Sequence, residues 1–296
     1  MKTECRVPKE IRTLRNDRPF FSARGVDEEL NPRYVGWLDL MGTNSMMRRS
    51  ATIASIFIGK LHSAAIKAAR ACPDDAVRLH PVIDGVYITS DAQAPVLSVL
   101  KQMLRSLALS FVLEEKIVHR FMVRGAIAFG PTCEGADLLT PENWQLNSRP
   151  EYARSICLGI PLAQAFDAEK AAAPYGIWIH ESARAFAPDG THPLTGTHWH
   201  WWKYQTGPTD LTLVTCLHAQ LLEYLDWCKR HSTYLLYDEA RITAHRQLVD
   251  QYFTTMQDDP FFEATAEPFG GAAGVPEADV APTPLPQEEP EQAELR

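Results

Sequence analysis

Apolar and polar positions alternate in blocks along this chain, and each block predicts an element. The run YVGWLDLMG, rich in β-formers and bounded by Pro32 and Gly42, predicts a buried strand that ends in a turn. Residues 45–71 carry a wide apolar face from Ile53, Phe57, Leu61 and Ala65, which predicts one long helix with Asn44 or Ser45 as its cap. AVRLHPVIDGVYITS predicts a hairpin whose strands meet near Asp84-Gly85. A second amphipathic helix is expected at 93–115, and a strand at 117–130 that stops at Gly130-Pro131. A third helix follows at 152–172, then the strand YGIWIH, the segment HWHWWKYQ as a further strand, the run LTLVTCL, and helices near 217–230 and 237–256. This alternation predicts an α/β (α+β) domain, a sheet covered by helices with helical additions at its C-terminal end.

Charge divides the chain further. The net charge of −8 is uneven: residues from Asp258 onward hold ten acids against one base, so residues 1–257 carry a net +1. The expected organisation is an N-terminal arm over 1–31, a body over 32–257, and an acidic, proline-rich tail over 258–296 that is expected to be disordered. No run approaches about 18 consecutive apolar residues, and the N-terminus has no apolar core of a secretory signal. Six scattered cysteines without a Cys-x-x-Cys pair read as reduced thiols. A cytoplasmic protein with no membrane partner is expected. No basic stripe suits duplex nucleic acid, so no nucleic-acid partner is expected either.

The candidate chemistry lies in two aspartates. Asp39 sits inside WLDLMG and Asp84 inside PVIDGVYI, each between apolar residues. Burying a carboxylate there is costly unless a cation or hydrogen-bond donors compensate it. Two such residues, each at a strand end or turn, suggest that neighbouring strands present carboxylates to the same metal ions. The competing reading makes each aspartate a turn residue. Directly after Asp39, Gly42, Thr43 and Asn44 lead into a helix N-terminus, where free N–H groups and the helix dipole favour phosphate. The spacing is not that of a P-loop.

These segments resemble class III nucleotide cyclases. WLDLMG and the aspartate of IDGVYI, 45 positions apart, resemble the metal-binding pair of that family. MVRGAIAFG resembles its central strand and GIPLAQAFDAEKA the helix start that follows. The patterns LD-x-x-G, RG-x-I-x-x-G and G-x-x-L-x-x-A-x-x-x-E bring the chain closest to the pyrimidine nucleotide cyclases of Pycsar antiphage defence, over roughly residues 32–205. The resemblance implies a ferredoxin-like, palm-type antiparallel-rich sheet. It also implies two Mg²⁺ or Mn²⁺ ions per site, held by Asp39, Asp84 and the backbone carbonyl of Leu40. The implied reaction is intramolecular: a ribose 3′-hydroxyl attacks the α-phosphate of UTP, or less favourably CTP, and pyrophosphate leaves. A homodimer with shared sites is implied, as is a separate effector that responds to the cyclic product during phage infection.

Departures from purine cyclases shape the substrate expectation. Their transition-state Asn and Arg align with Ala163 and Asp167, and their purine-recognising residue aligns with His80. His80 is then a candidate for a pyrimidine edge, with Ser155 or Cys157 opposite. The alternatives that stay open are a purine cyclase and a catalytically silent binding or dimerisation module. Arg124, the one charge in MVRGAIAF, is a candidate catalytic cation or a member of an edge or intersubunit salt bridge. Lys203 occupies the position of a triphosphate lysine, or is a solvated strand residue. The Arg48-Arg49 pair either attracts nucleotide or is plain helix surface. Tyr34 is expected in the strand core. In HWHWWKYQ, alternation places His198, His200 and Trp202 on one face and Trp199, Trp201 and Lys203 on the other.

Overall fold

Strand β1 (Asn31–Leu40) is the spine of the sheet, buried almost throughout because apolar residues occupy both of its faces. The structure, a computed structural model, describes residues 30–254; the arm, apart from Leu30 and Asn31, and the whole acidic tail lie outside the described residues. After β1 come α1 (Thr43–Arg49) and α2 (Ala51–Ala69), where one long helix was expected. The break is Ser50, which is extended at φ −159° and accepts a hydrogen bond from Ile53 N through its side chain. Serine competes with the helix for backbone partners and so favours an N-cap over an interior position. The expected caps Asn44 and Ser45 lie inside α1, whose cap position is held by Gly42 at φ 80°.

Strands β2 (Arg78–Val82) and β3 (Gly85–Ser90) form the expected hairpin, with its turn one residue earlier than Asp84-Gly85. Val82 pairs with Gly85, so Ile83 and Asp84 are the loop residues, and Ile83 adopts a left-handed φ of 46°. Gly85 is required for a different reason. The Trp37 ring lies over it, and a Cβ there would fall 2.1 Å from that ring.

Helix α3 (Gln93–Val112) follows. By length and composition it is apolar enough to cross a membrane, yet Val96, Val99, Leu100, Met103, Leu104 and Leu107 are buried in the core of the domain. Strand β4 (Val123–Glu134) starts later than expected and runs through Gly130-Pro131, while residues 117–119 form a 3₁₀ turn. Its extension is held by Pro32 opposite Pro131 and by a short strand on its other side. That strand interrupts the helix expected at 152–172. The segment instead holds α4 (Trp144–Asn147), α5 (Pro150–Ser155), β5 (Cys157–Gly159), α6 (Ile160–Ala168) and a 3₁₀ turn at Glu169–Ala171.

Strand β6 (Ile177–Ile179), α7 (Glu181–Ala185) and β7 (His198–Trp199) complete the sheet. The strand expected through HWHWWKYQ stops at Trp199 and turns into a 3₁₀ turn, Trp201–Lys203. The alternation of faces therefore fails, and Trp199, Trp201 and Trp202 all enter the core. Helix α8 (Pro208–Arg230) absorbs LTLVTCL and begins well before residue 217, its start held by Gly207 N donating to Asp210 Oδ2. Helices α9 (Ser232–Leu235) and α10 (Glu239–Thr254) end the described chain.

The seven strands order as β2-β3-β1-β4-β6-β7, with β5 on β4, and every pairing is antiparallel except β4 with β6. One face buries Tyr34, Leu38, Val86, Ile88 and Ile127 under α2, α3 and α8, as expected for Tyr34. The other is thinner: Val35, Trp37, Ala126 and Ala128 meet Leu162 and Ala165 of α6. Side chains alternate along a strand, so Asp39 shares this second face with Trp37 and Val35.

Candidate functional site

Asp39 ends the face of β1 that carries Val35 and Trp37, with Gly85 of β3 on one flank and Arg124 of β4 on the other. Asp84 is brought beside it by the hairpin turn, and the Asp84 carbonyl accepts from Leu40 N at 3.2 Å. Burial pushes the Asp39 carboxyl up to about 8, with further upward pressure from Glu169 and Asp84; Arg124 and the Leu40 backbone oppose it. Asp84 and Asp39 are thus close enough to act on one another's charge.

Glu169 closes the G-x-x-L-x-x-A-x-x-x-E pattern, and nothing in that spacing marks it as part of the site. It is 4% exposed. Its Oε1 accepts from Arg124 Nη2 at 3.1 Å, and its Oε2 accepts from Trp37 Nε1 at 3.0 Å. Burial raises its carboxyl, and the Arg124 guanidinium opposes that shift. The signal for Glu169 was an acid placed at the end of the apolar face of α6, where a solvated acid has no reason to turn inward. Arg124 is itself mostly buried, and this ion pair, within one chain, accounts for its place in the sheet.

Beside Asp39 opens a cavity of about 160 Å³. Gly42, Ser45 and Arg49 of the β1–α1 region line it together with Arg124 of β4 and with Tyr237, Arg241 and His245 from the C-terminal segment. The Tyr237 hydroxyl and His245 Nδ1 are hydrogen-bonded to each other. His245 is lowered to about 4, first by burial and then by Arg124 and Arg241, so it is neutral near pH 7. Nothing local in the sequence marked Tyr237, Arg241 or His245, which belong to a polar helical region far along the chain.

Other expected residues are distributed differently. Thr43 is buried, and its hydroxyl donates to the Leu40 carbonyl at 3.2 Å, so that oxygen already has one partner. Asn44 is exposed on α1 and does not line the cavity. With α1 only seven residues long, the phosphate cradle expected at the N-terminus of a long helix loses much of its dipole. Lys203 ends the 3₁₀ turn after β7 and is not part of the cavity wall.

His80 lies two strands from β1 in a separate cluster, buried with Arg33, Thr89 and Glu134, while Cys157 is half-buried and Arg78 exposed. Thr89 Oγ1 donates to Glu134 Oε1 at 2.6 Å, and His80 Nε2 lies 3.2 Å from Thr89 Oγ1. His80, Glu134 and Cys157 bring one ligand atom each within 4.8 Å of one another, a group able to hold a metal ion. The nitrogen, oxygen and sulfur donors suit zinc better than magnesium or manganese. Arg33 Nη1 lies 2.6 Å from Glu134 Oε1, and Arg78 also pairs with this carboxylate. Two guanidiniums therefore already neutralise the acid. Burial lowers His80 and pushes the Cys157 thiol up to about 11, both of which favour the uncharged forms.

No protein-family model matches the chain, and no curated protein matches it.

Proposed function

We propose that this protein is a class III-type nucleotide cyclase that converts UTP, with CTP the less favoured alternative, into the 3′,5′-cyclic nucleotide and pyrophosphate. The observation that carries the reading is the carboxylate cluster at the β1 end. Glu169 and Asp84 both bear on Asp39, which burial and these acids hold up to about 8 against the Arg124 guanidinium. An all-oxygen donor set with surplus negative charge fits Mg²⁺ or Mn²⁺. Asp39 and Asp84 are the residues that would hold such ions, which when bound supply Lewis-acid activation of a hydroxyl and charge neutralisation at phosphate oxygens.

The rest of the site belongs to the chain itself. Arg124 offers a guanidinium to the cavity, oriented by its bond to Glu169, and Trp37 fixes Glu169 in turn. Preorganised donors of this kind stabilise charge that develops during phosphoryl transfer. Nucleophile and phosphorus lie in one substrate molecule, so the site needs to orient one ligand only. The order β2-β3-β1-β4, with β-α-β-β-α-β connectivity, supports the ferredoxin-like, palm-type part of this reading. Asp167, at the place of a purine-cyclase arginine, is exposed and bonded to Lys170, and Ala163 offers no donor, which supports a pyrimidine substrate. Exposed Leu158, Ile160 and Phe166 on β5 and α6 suit the shared-site homodimer that the reading includes. The cyclic product would act on a separate effector in antiphage defence.

The test is incubation of the full chain with Mn²⁺ and each of the four NTPs. A cyclic pyrimidine product that disappears in both Asp39→Ala and Asp84→Ala is expected. No cyclic product from any NTP, or turnover that survives both substitutions, refutes the reading. A silent nucleotide-binding module is the second reading, favoured by the absent Asn and Arg equivalents; nucleotide binding that ignores Mn²⁺ would select it.

A further inference from the structure

The cavity beside Asp39 has a second chemical character. It is walled by three guanidiniums, those of Arg49, Arg124 and Arg241, against the single carboxylate of Asp39. The Nε and Nη1 of Arg49 and the Nε of Arg124 are buried without any hydrogen-bond partner. Such donors are costly to leave unmade, more so on a cation. The Arg49 guanidinium sits 5.0 Å above the Tyr234 ring, which orients it without using its donors. Arg241 stands in the first turn of α10, its backbone N–H taken by Asp238 Oδ1 at 3.0 Å. Apolar Met41, Met46, Phe121 and Trp227 close the remaining sides.

We propose that this cavity is a polyphosphate subsite, in which Arg49, Arg124 and Arg241 grip the non-reacting phosphates of a nucleoside triphosphate. The inference rests on the nucleotide reading of the same site and adds to it a wall supplied from outside the sheet. Size supports the assignment. At about 160 Å³ the cavity falls below the roughly 300–1,000 Å³ of whole-ligand pockets, so it takes a phosphate chain while the nucleoside lies beyond it. Chemistry supports it as well. Guanidinium forks match phosphate oxygens, and several forks around one space match a chain of phosphates better than a lone carboxylate. The wall is also anchored where it is needed. Ser45 Oγ of α1 donates to the Leu236 carbonyl at 3.3 Å, and Arg246 Nη1 ties α10 to α8 through the Leu222 carbonyl and Asp226.

The experiment is calorimetric titration of the full chain with inorganic tripolyphosphate in the presence of Mn²⁺, on wild type, Arg241→Ala, Arg241→Lys and Arg49→Ala. Wild type is expected to bind. Each alanine variant should lose at least about tenfold in affinity, the size of one charge-assisted partner. Arg241→Lys should lose less, since it keeps the charge without the fork. Binding of Mn²⁺ alone should be unchanged in Arg241→Ala. Failure of wild type to bind tripolyphosphate overturns the subsite, as does wild-type affinity in both alanine variants with unaltered thermal unfolding. Arginine-dependent tripolyphosphate binding without any cyclic product keeps the subsite and refutes the cyclase reading. Undiminished cyclisation in Arg241→Ala and Arg49→Ala does the reverse.

Discussion

Asp39 and Arg124 are direct partners across the β1–β4 ladder, yet the guanidinium gives its hydrogen bond to Glu169. Asp39 is therefore left with electrostatic help from Arg124 but also with pressure from two neighbouring acids. The site is underneutralised by construction, and most of its testable behaviour follows from that imbalance.

Without divalent cations, Asp39 is raised from its ordinary 3.8 to about 8. A carboxyl raised in the folded state binds its proton more tightly there than in the unfolded chain. Its contribution to stability is fullest at low pH and declines as pH rises from about 4 through about 8. Thermal unfolding in chelator should show Asp39→Asn more stable than wild type at about pH 8.5 and little different at about pH 4. Added Mn²⁺ should stabilise wild type at the higher pH and leave the asparagine variant unmoved.

Glu169→Ala leaves a largely buried guanidinium without its counter-charge. Removing one partner of such a pair costs about 3–5 kcal/mol, read by urea unfolding. Glu169→Gln retains an acceptor for Trp37 and should cost less. Both remove one of the acids that raise Asp39, so the pH midpoint of Mn²⁺ binding should move down in each.

Gly85→Ala tests the close approach of the hairpin to β1. The added Cβ would fall 2.1 Å from the Trp37 ring, which must move. Overpacking of this kind costs about 1–3 kcal/mol. Displacement of Trp37 also loosens Glu169, so any turnover in the proposed cyclase reaction should drop along with stability, and tryptophan fluorescence should report the shift.

Ser50→Ala removes the side-chain acceptor for Ile53 N and should cost about 1 kcal/mol, whereas Ser50→Gly should cost only a few tenths. Equal losses in the two variants, measured by chemical denaturation, would mean that Ser50 does not act as a cap.

The strands around Asp39 and Asp84 were readable because their apolar periodicity is strong and their turn residues are explicit. Helix ends were less so. Ser50 lies in a run that reads as uninterrupted helix, and only its hydroxyl, which bonds a backbone N–H three residues on, marks the break. Strand β5 is three residues long and exists because the end of β4 needs a partner, a demand invisible in the local sequence. The carboxylate pair of the site was legible for the same reason as the strands. Glu169 and the cavity wall of Tyr237, Arg241 and His245 were not, since their roles depend on burial and distant neighbours rather than on spacing.

Ser45 and Leu236 meet although 191 residues separate them in the chain. On the ribosome this contact has a consequence in time. Asp39, Asp84 and Arg124 emerge early and can pair within the sheet, but Arg241 and His245 follow only after almost all of the described chain has been made. Domains fold largely as units while synthesis proceeds, so a nascent or prematurely terminated chain that stops before α10 lacks one wall of its cavity. Until α10 is made and docked, the cavity lacks the part of its wall that Arg241 and His245 supply.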